Sequence, residues 1–378
     1  MASLKEVAEL AKASMLDAFR ALKNDSTVDE ITRLRVAQAA ERLSYELKIT
    51  QIDVADLAGV GKGTVSYALN GSDLIKPATR QKVIDAAELL GYRPNITARN
   101  LRTNRAGIIG YSWHVHDDPN RMNNLLDEFI YRVTFAAEAQ GFHLLTFIQP
   151  QEDAERVYDQ LISTNRVDGF ILSDIRYDDV RMKRLFALHA PFVAFGGMYL
   201  PDPQFAFVDV DGKKGIELAV NHLLAQGHER IGLINWPPGS LVGDVRSMGY
   251  LDTMQNAGIA VEPDWIAYTL NILRSASEAT ARLMTAKHPP TAIVCTNDVM
   301  AFGAKAYLDE NGFRNVALTG YDDEPTAQFL GITSVKQPIS DVAKALFDIL
   351  LGEINHEPLA QRQIAFDPEL VIRESTSL

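Results

Sequence analysis

The sequence predicts a multi-domain chain: an all-α N-terminal part built on helix-turn-helix units, then an α/β core of two doubly wound parallel-sheet subdomains. Three observations carry that expectation. Residues 50–70 hold two short helical periods separated by Gly59. Residues 1–48 repeat the same spacing 47 positions earlier. From Ala106 onward, short apolar runs alternate with amphipathic helical ones.

Length and charge set the frame. A chain of 378 residues with 47% apolar and 23% charged residues can bury full-sized cores. Its one cysteine, Cys295, excludes a disulfide framework and fits a reducing compartment. With no run of eighteen apolar residues and no signal-peptide core, the expected location is cytoplasmic, with no membrane partner. The net charge of −12 is unevenly spread: residues 1–48 balance to zero, residues 49–105 carry +3, and the rest carries −15. A basic segment on an acidic body is the footprint of a small nucleic-acid-reading module joined to something else.

Taken in order, residues 1–48 read as a degenerate copy of residues 49–94. Val7-Ala8 falls on Val54-Ala55, Leu10-Ala11 on Leu57-Ala58, Ala21-Leu22 on Ala68-Leu69, Thr32-Arg33 on Thr79-Arg80, and Tyr45 on Tyr92. The matched positions are mostly packing ones. The reading positions are not kept, since Thr64, Ser66 and Asn70 are matched by Asp17, Phe19 and Lys23. An Asp is repelled by phosphates and a neutral copy has little counterion-release drive, so a vestigial or interface role is favoured over a second reader.

Residues 49–94 form the better-equipped unit. Thr50 and Asp53 have capping-box spacing, Ile52, Ala55, Leu57 and Ala58 give one helical face, Gly59 breaks it, and Val65, Ala68 and Leu69 restart it. The second helix offers Lys62, Thr64, Ser66, Tyr67 and Asn70, groups that suit base edges and phosphates; Thr50 and Gly63 complete the expected contact set. The run Gly59-Val60-Gly61-Lys62-Gly63-Thr64 imitates a phosphate-binding loop, but Asp56 and Gly63 occupy places where that motif needs Gly and Ser or Thr. A third helix over 78–90 closes the unit, with Pro77 at its start and Gly91 at its end.

The segment DVADLAGVGKGTVSYALN at 53–70 resembles the DNA-binding headpiece of the LacI/GalR family of bacterial repressors, departing where Gly61 replaces the usual Ser. Tyr92-Arg93-Pro94-Asn95 to Leu101 resembles that family's hinge. By the resemblance, residues 95–105 form a short helix on operator DNA, where Asn95, Ala98, Arg99 and Leu101 make contact and Leu101 wedges between base steps in the minor groove. The first copy has no such hinge.

The core predicts strands near 107–113, 143–147, 167–172, 192–195, 205–209, 230–235, 292–296, 316–320 and 333–335, with helices between them. The expected division is 106–210 with 337–354 in one subdomain and 211–336 with 355–378 in the other. The layout is similar to the periplasmic-binding-protein fold that the family uses for effector binding. Its landmarks are Val208-Asp209-Val210-Asp211, Gly227-His228-Glu229-Arg230-Ile231-Gly232, Arg246 with Gly249-Tyr250, Thr296-Asn297-Asp298, and Gly320-Tyr321-Asp322-Asp323.

Ligands in such sheets bind beyond the carboxyl ends of the strands. Those ends carry the expected contacts Tyr111, Trp113, Asp174, Trp236, Asn297 and Asp322, and the resemblance implies Arg246, Asn297 and Asp322 as polar contacts with Trp236 as a stacking wall, amides and charges serving hydroxyl pairs and aromatic faces a sugar's C–H face. Asp298 reads as a charge at a helix start, not a contact. The 114–124 stretch departs from the family's short loop, and His114 and His116 lack a third metal ligand.

No catalytic constellation emerges, and neither a cofactor nor a metal is expected. The resemblance implies a homodimeric, possibly tetrameric transcriptional regulator that binds double-stranded operator DNA and a small-molecule effector, with a carbohydrate the leading candidate. The competing classes are a free-standing sugar-binding protein and an α/β enzyme.

Overall fold

The computed structural model describes residues 2–69, 72, 74–92, 105–114, 124–149 and 152–377, and the chain divides into two compact units, 1–103 and 104–378. Among the described residues, the first unit holds two consecutive sets of three helices. These are α1 (Leu4–Ala11), α2 (Met15–Leu22) and α3 (Glu30–Arg42), then α4 (Gln51–Ala58), α5 (Lys62–Leu69) and α6 (Pro77–Leu89). Helix starts follow the local chemistry. Ser3 with Glu6 and Thr50 with Asp53 both close capping boxes, while Ser14 and Asp29 cap α2 and α3.

The same internal brace recurs in both sets. Arg33 donates to the Asp25 and Val28 carbonyls at 3.3 and 2.9 Å, and Arg80 donates to the Ser72 carbonyl at 2.7 Å. Each guanidinium ties down the loop before its own helix. The two sets also share one apolar cluster, from Leu4, Val7 and Val36 to Val54, Val65 and Val83. A polar staple joins them: Asp53 is buried, accepts from the Thr50 amide at 2.8 Å and from the Leu4 amide at 3.2 Å. One carboxylate thus satisfies orphan donors at two helix N-termini.

The second unit is a pair of α/β subdomains built on one plan. The first sheet runs β11-β5-β4-β3-β1-β2, with β1 (Ile108–His114), β2 (His143–Gln149), β3 (Gly169–Leu172), β4 (Phe192–Phe195), β5 (Phe207–Val210) and β11 (Gln363–Phe366), every described pairing parallel. The second runs β12-β10-β9-β8-β6-β7, with β6 (Ile231–Asn235), β7 (Ile266–Tyr268), β8 (Ala292–Cys295), β9 (Ala317–Asp322), β10 (Thr333–Lys336) and β12 (Glu369–Val371). Only the β10–β12 edge pair of the second sheet is antiparallel among the described residues. In both sheets the strand order reverses between the first and third strands, which opens a crevice at the carboxyl ends there.

The chain crosses between subdomains before α10 (Gly212–Ala225) and again before α15 (Ile339–Asn355). Helix α15 supplies Ile339, Val342, Leu346, Phe347 and Leu350 to the first core, beside Phe129 and Val133 of α7 (Asn124–Ala139). The tail departs from the sequence expectation. Residues 355–378 do not all join the second subdomain, because Gln363–Phe366 pairs with β5 and lays Ile364 and Phe366 on the first core. A four-residue edge strand carries too little pattern to say which sheet it extends. Among the described residues, no helix is long and apolar enough to cross a membrane.

Candidate functional site

Two surfaces carry chemistry. The first is α5, eight residues long, whose inward face is Val65 and Ala68. That packing turns Lys62, Gly63 and Tyr67 to solvent and leaves Thr64 and Ser66 half-exposed; Tyr67 is 51% exposed. Thr50 has a second task. Its hydroxyl accepts from the Ile52 amide at 3.2 Å and donates to Asp53 Oδ2 at 2.8 Å, so it is first of all the cap of α4. The expected contacts Asn70, Asn95, Ala98, Arg99 and Leu101 lie outside the described residues, as does the loop after β1.

The corresponding surface of the first set is spent differently. Asp17, at the position of Thr64, bonds the Ser14 hydroxyl at 2.7 Å and takes part in the α2 cap. Phe19, at the position of Ser66, packs on the shared apolar cluster with Met15 and Leu22.

The second surface is a cleft of about 210 Å³ between the two α/β subdomains. It is lined by strand-end residues of both sheets: Ser173, Asp174, Phe195, Gly196 and Asp209 from the first; Trp236, Asn297, Asp322 and Gln337 from the second. Of the seven expected contacts, Asp174, Trp236, Arg246, Asn297 and Asp322 meet here. Tyr111 does not. It is 1% exposed, its hydroxyl is 2.5 Å from Ser173 Oγ, and it belongs to the first core, so its place is beneath the cleft wall. Trp113 packs on the same core, edge-on to Tyr111 at 5.7 Å, and is not among the lining residues. Tyr111 and Trp113, two positions apart on β1, point to the same face of the sheet, and that face packs on the first core.

Arg246 is the centre of the cleft. Helix α11 (Leu241–Asn256) carries it, and Gly249 on that helix leaves no room for a side chain against the Lys213 carbonyl of α10, which seats α11 close. The guanidinium donates to the Thr296 carbonyl, lies 3.5 Å from the Tyr321 ring centre, and stands 3.9 Å from Asp322 Oδ1. Its Nε is buried without a hydrogen-bond partner, a donor available to a ligand oxygen. Asp322 has a backbone φ of 112°, a region costly for any residue but Gly, held here at the carboxyl end of β9. Gln337 donates to its Oδ1 at 2.7 Å.

Burial raises the Asp322 carboxyl to about 7, with Arg246 and the Gln337 amide opposing and Glu324 reinforcing the rise. Asp209 is raised to about 6, again by burial, against the backbone amides of Met198, Val210 and Gly197 and the charge of Arg246. Asn297 caps α13 (Asp298–Glu310) by accepting from the Met300 amide at 2.8 Å, and donates to Asn271 Oδ1 at 2.6 Å. Asp298 is fully buried, accepting from the Glu324 amide and the Ser334 hydroxyl, and takes no part in the lining.

Sequence reading missed an apolar wall and several polar groups, Asp209, Asn271 and Gln337 among them. Phe129 of α7 stacks on Phe195 with ring centres 4.9 Å apart, and Leu125 and Leu126 extend that wall. Asp209 sits in a landmark motif and at a strand's carboxyl end, a signal that could have found it. Asn271 lies in a loop with no pattern of its own. Among the described residues, no cluster of His, Cys, Asp and Glu could hold a metal ion.

A helix-turn-helix unit with an open second helix, joined to a two-subdomain cleft, defines a ligand-responsive DNA-binding regulator. Comparison with known proteins agrees. The model for bacterial regulatory proteins of the lacI family matches residues 3–46 and again 50–95, and that for a periplasmic binding protein-like domain matches 220–376. The HTH-type transcriptional repressor PurR of Haemophilus influenzae (strain PittEE) is 30% identical over 335 residues, covering 85% of this chain and 97% of PurR. The repressor CytR of Escherichia coli (strain K12) is 29% identical over 384 residues, covering 99% of this chain and 96% of CytR. The solved complex of the transcriptional regulator CelR with cellobiose superposes with a TM-score of 0.66 at 27% identity, over 87% of this chain and all of that one. The chain belongs to the LacI family of DNA-binding transcriptional regulators.

Proposed function

We propose that the protein is a homodimeric cytoplasmic repressor whose operator affinity is set by a carbohydrate held in the cleft. The observation that carries the reading is the pairing of Arg246 with Asp322 at the crevice between the sheets, beside the Trp236 and Phe129–Phe195 rings. A guanidinium with a spare donor and three nearby carboxylates, Asp174, Asp209 and Asp322, suits vicinal hydroxyls, and the rings suit an apolar sugar face. The solved complex of the similar regulator CelR with cellobiose supports that ligand class. DNA contact falls to Lys62, Gly63, Thr64, Ser66, Tyr67 and Asn70 in the major groove, with Asn95, Ala98, Arg99 and Leu101 on the hinge side. Ligand closing the cleft biases the subdomain arrangement and hence the hinges.

The test is operator binding by the full chain with and without a panel of sugars, with turnover measured in parallel. Sugar-dependent change in operator affinity without turnover supports the regulator; turnover would establish an enzyme, and sugar binding without operator binding a carrier. Sugar-dependent Trp fluorescence should be lost in Arg246→Ala. Sugar affinity should also weaken as pH falls from 8 to 5, because Asp322 and then Asp209 take up protons near pH 7 and 6 and cease to be charged acceptors. A single required deprotonation gives roughly tenfold per pH unit below its pKa; a flat profile would remove both carboxylates from the contact set.

A further inference from the structure

The outer face of α3 does not look like that of its counterpart α6. Ile31 and Leu34 stand 73% and 61% exposed, while Val36, Ala39 and Ala40 on the opposite side fill the core. At the matching positions, 47 residues on, α6 has Ala78 and Gln81. The charges flanking this apolar pair are sorted. On the helical period, Glu30 precedes Ile31 on one side of the stripe, and Arg35 and Arg42 lie on the other; all three are exposed. One heptad on, the a and d positions are Gln38 and Glu41, both exposed, so the apolar seam ends after Leu34. The pattern matches one heptad of a parallel two-stranded seam, with Ile at the a position, Leu at d, an acid at g and a base at e. In α6 the g position is Pro77 and the e position Lys82, so no such seam exists there.

We infer that the first headpiece set is a self-association element, in which α3 pairs in parallel with α3 of a second copy of this chain. The charge pattern selects that occupant. About a two-fold axis, Glu30 of each helix meets Arg35 of the other, whereas an antiparallel pairing would set acid against acid. The zero net charge of residues 1–48 removes the mutual repulsion that the +3 segment would impose on a like copy. A 13-residue helix with one such heptad pairs weakly alone, so the inference rests on the homodimer proposed above, which supplies the local concentration.

The experiment uses the full chain with Gln38→Cys, whose new thiol lies on the seam; the natural Cys295 is buried and will not compete. Under mild oxidation, disulfide-linked dimers should form on a denaturing gel. Adding Ile31→Glu and Leu34→Glu, both at exposed positions, should cut the yield about tenfold or more, the weight of two aliphatic side chains leaving a buried seam. Glu30→Arg should also lower the yield, and Glu30→Arg with Arg35→Glu should restore it. Absence of interchain disulfide, equal yield in the double-Glu background, or no restoration by the charge swap overturns the proposal; so would cover of this face by the chain's own second unit or by a different protein, since either leaves α3 uncrosslinked to its copy. Sedimentation of the unmodified chain separates the two failures. A monomer removes the homodimer and this pairing with it, while a dimer that does not crosslink removes this pairing alone.

Discussion

The two headpiece sets share a plan and differ in how each turn and each face is used. Both close capping boxes, both brace a loop with one arginine, and both feed the same apolar cluster. Where α4 ends, Gly59 takes the left-handed conformation at φ 65°; where α1 ends, the matching residue is Lys12, forced to φ 50°. Gly91 after α6 at φ 58° is likewise matched by Ser44 at φ 48°. The first set therefore carries two strained residues that the second avoids. On its second helix Asp17 is engaged with the Ser14 cap and Phe19 packs on the shared apolar cluster, while α5 keeps its polar residues outward. A repeated framework can hold its shape through packing and capping positions while the outer face changes its task.

Exchanging residues between the sets should break this comparison. Thr64→Asp, which installs the first set's residue on α5, should weaken specific operator binding by about 10- to 100-fold, the range for one lost base contact. The reverse change, Asp17→Thr, should leave operator affinity and its salt slope unaltered; a clear gain would make the first set a second reader. Titrations at several salt concentrations measure both. Asp53→Ala leaves the Leu4 and Thr50 amides unpaired at once, so it should destabilise the first unit by about 2 kcal/mol, read in calorimetry. Lys12→Gly should stabilise that unit by roughly 1 kcal/mol and Gly59→Lys destabilise it by a similar amount; equal and opposite effects would sharpen the equivalence of the two turns. Smallest is Gly61→Ser. The site has open space for a side chain, and a better cap adds only a few tenths of a kcal/mol at about this position in a helix.

Much of the candidate site was legible because strand-end polar residues announce themselves. Asp174, Trp236, Asn297 and Asp322 each follow or close an apolar strand, Arg246 on α11 was reached through the family resemblance, and all five meet in the cleft. Tyr111 and Trp113 obeyed the same rule yet pack into the core, since alternation along a strand does not say which face a neighbouring helix will cover. Phe129 and Phe195 looked like ordinary core residues, and only the approach of α7 to β4 makes their stacked pair a cleft wall.

Taken alone, the amino-acid order determined most of the elements, short edge strands such as Ile266–Tyr268, Gln363–Phe366 and Glu369–Val371 excepted, with the repeat at 47 residues and the alternation that makes two parallel sheets. These are short-range matters, settled by side-chain period and by hydrogen bonds spanning three or four residues. The tertiary structure decided that Asp53 joins two helix termini, that Gln363–Phe366 extends the first sheet, and that Arg246 lies against Tyr321 beside Asp322. Such contacts join residues tens to hundreds of positions apart, and packing, not pattern, chooses among the partners that local chemistry allows.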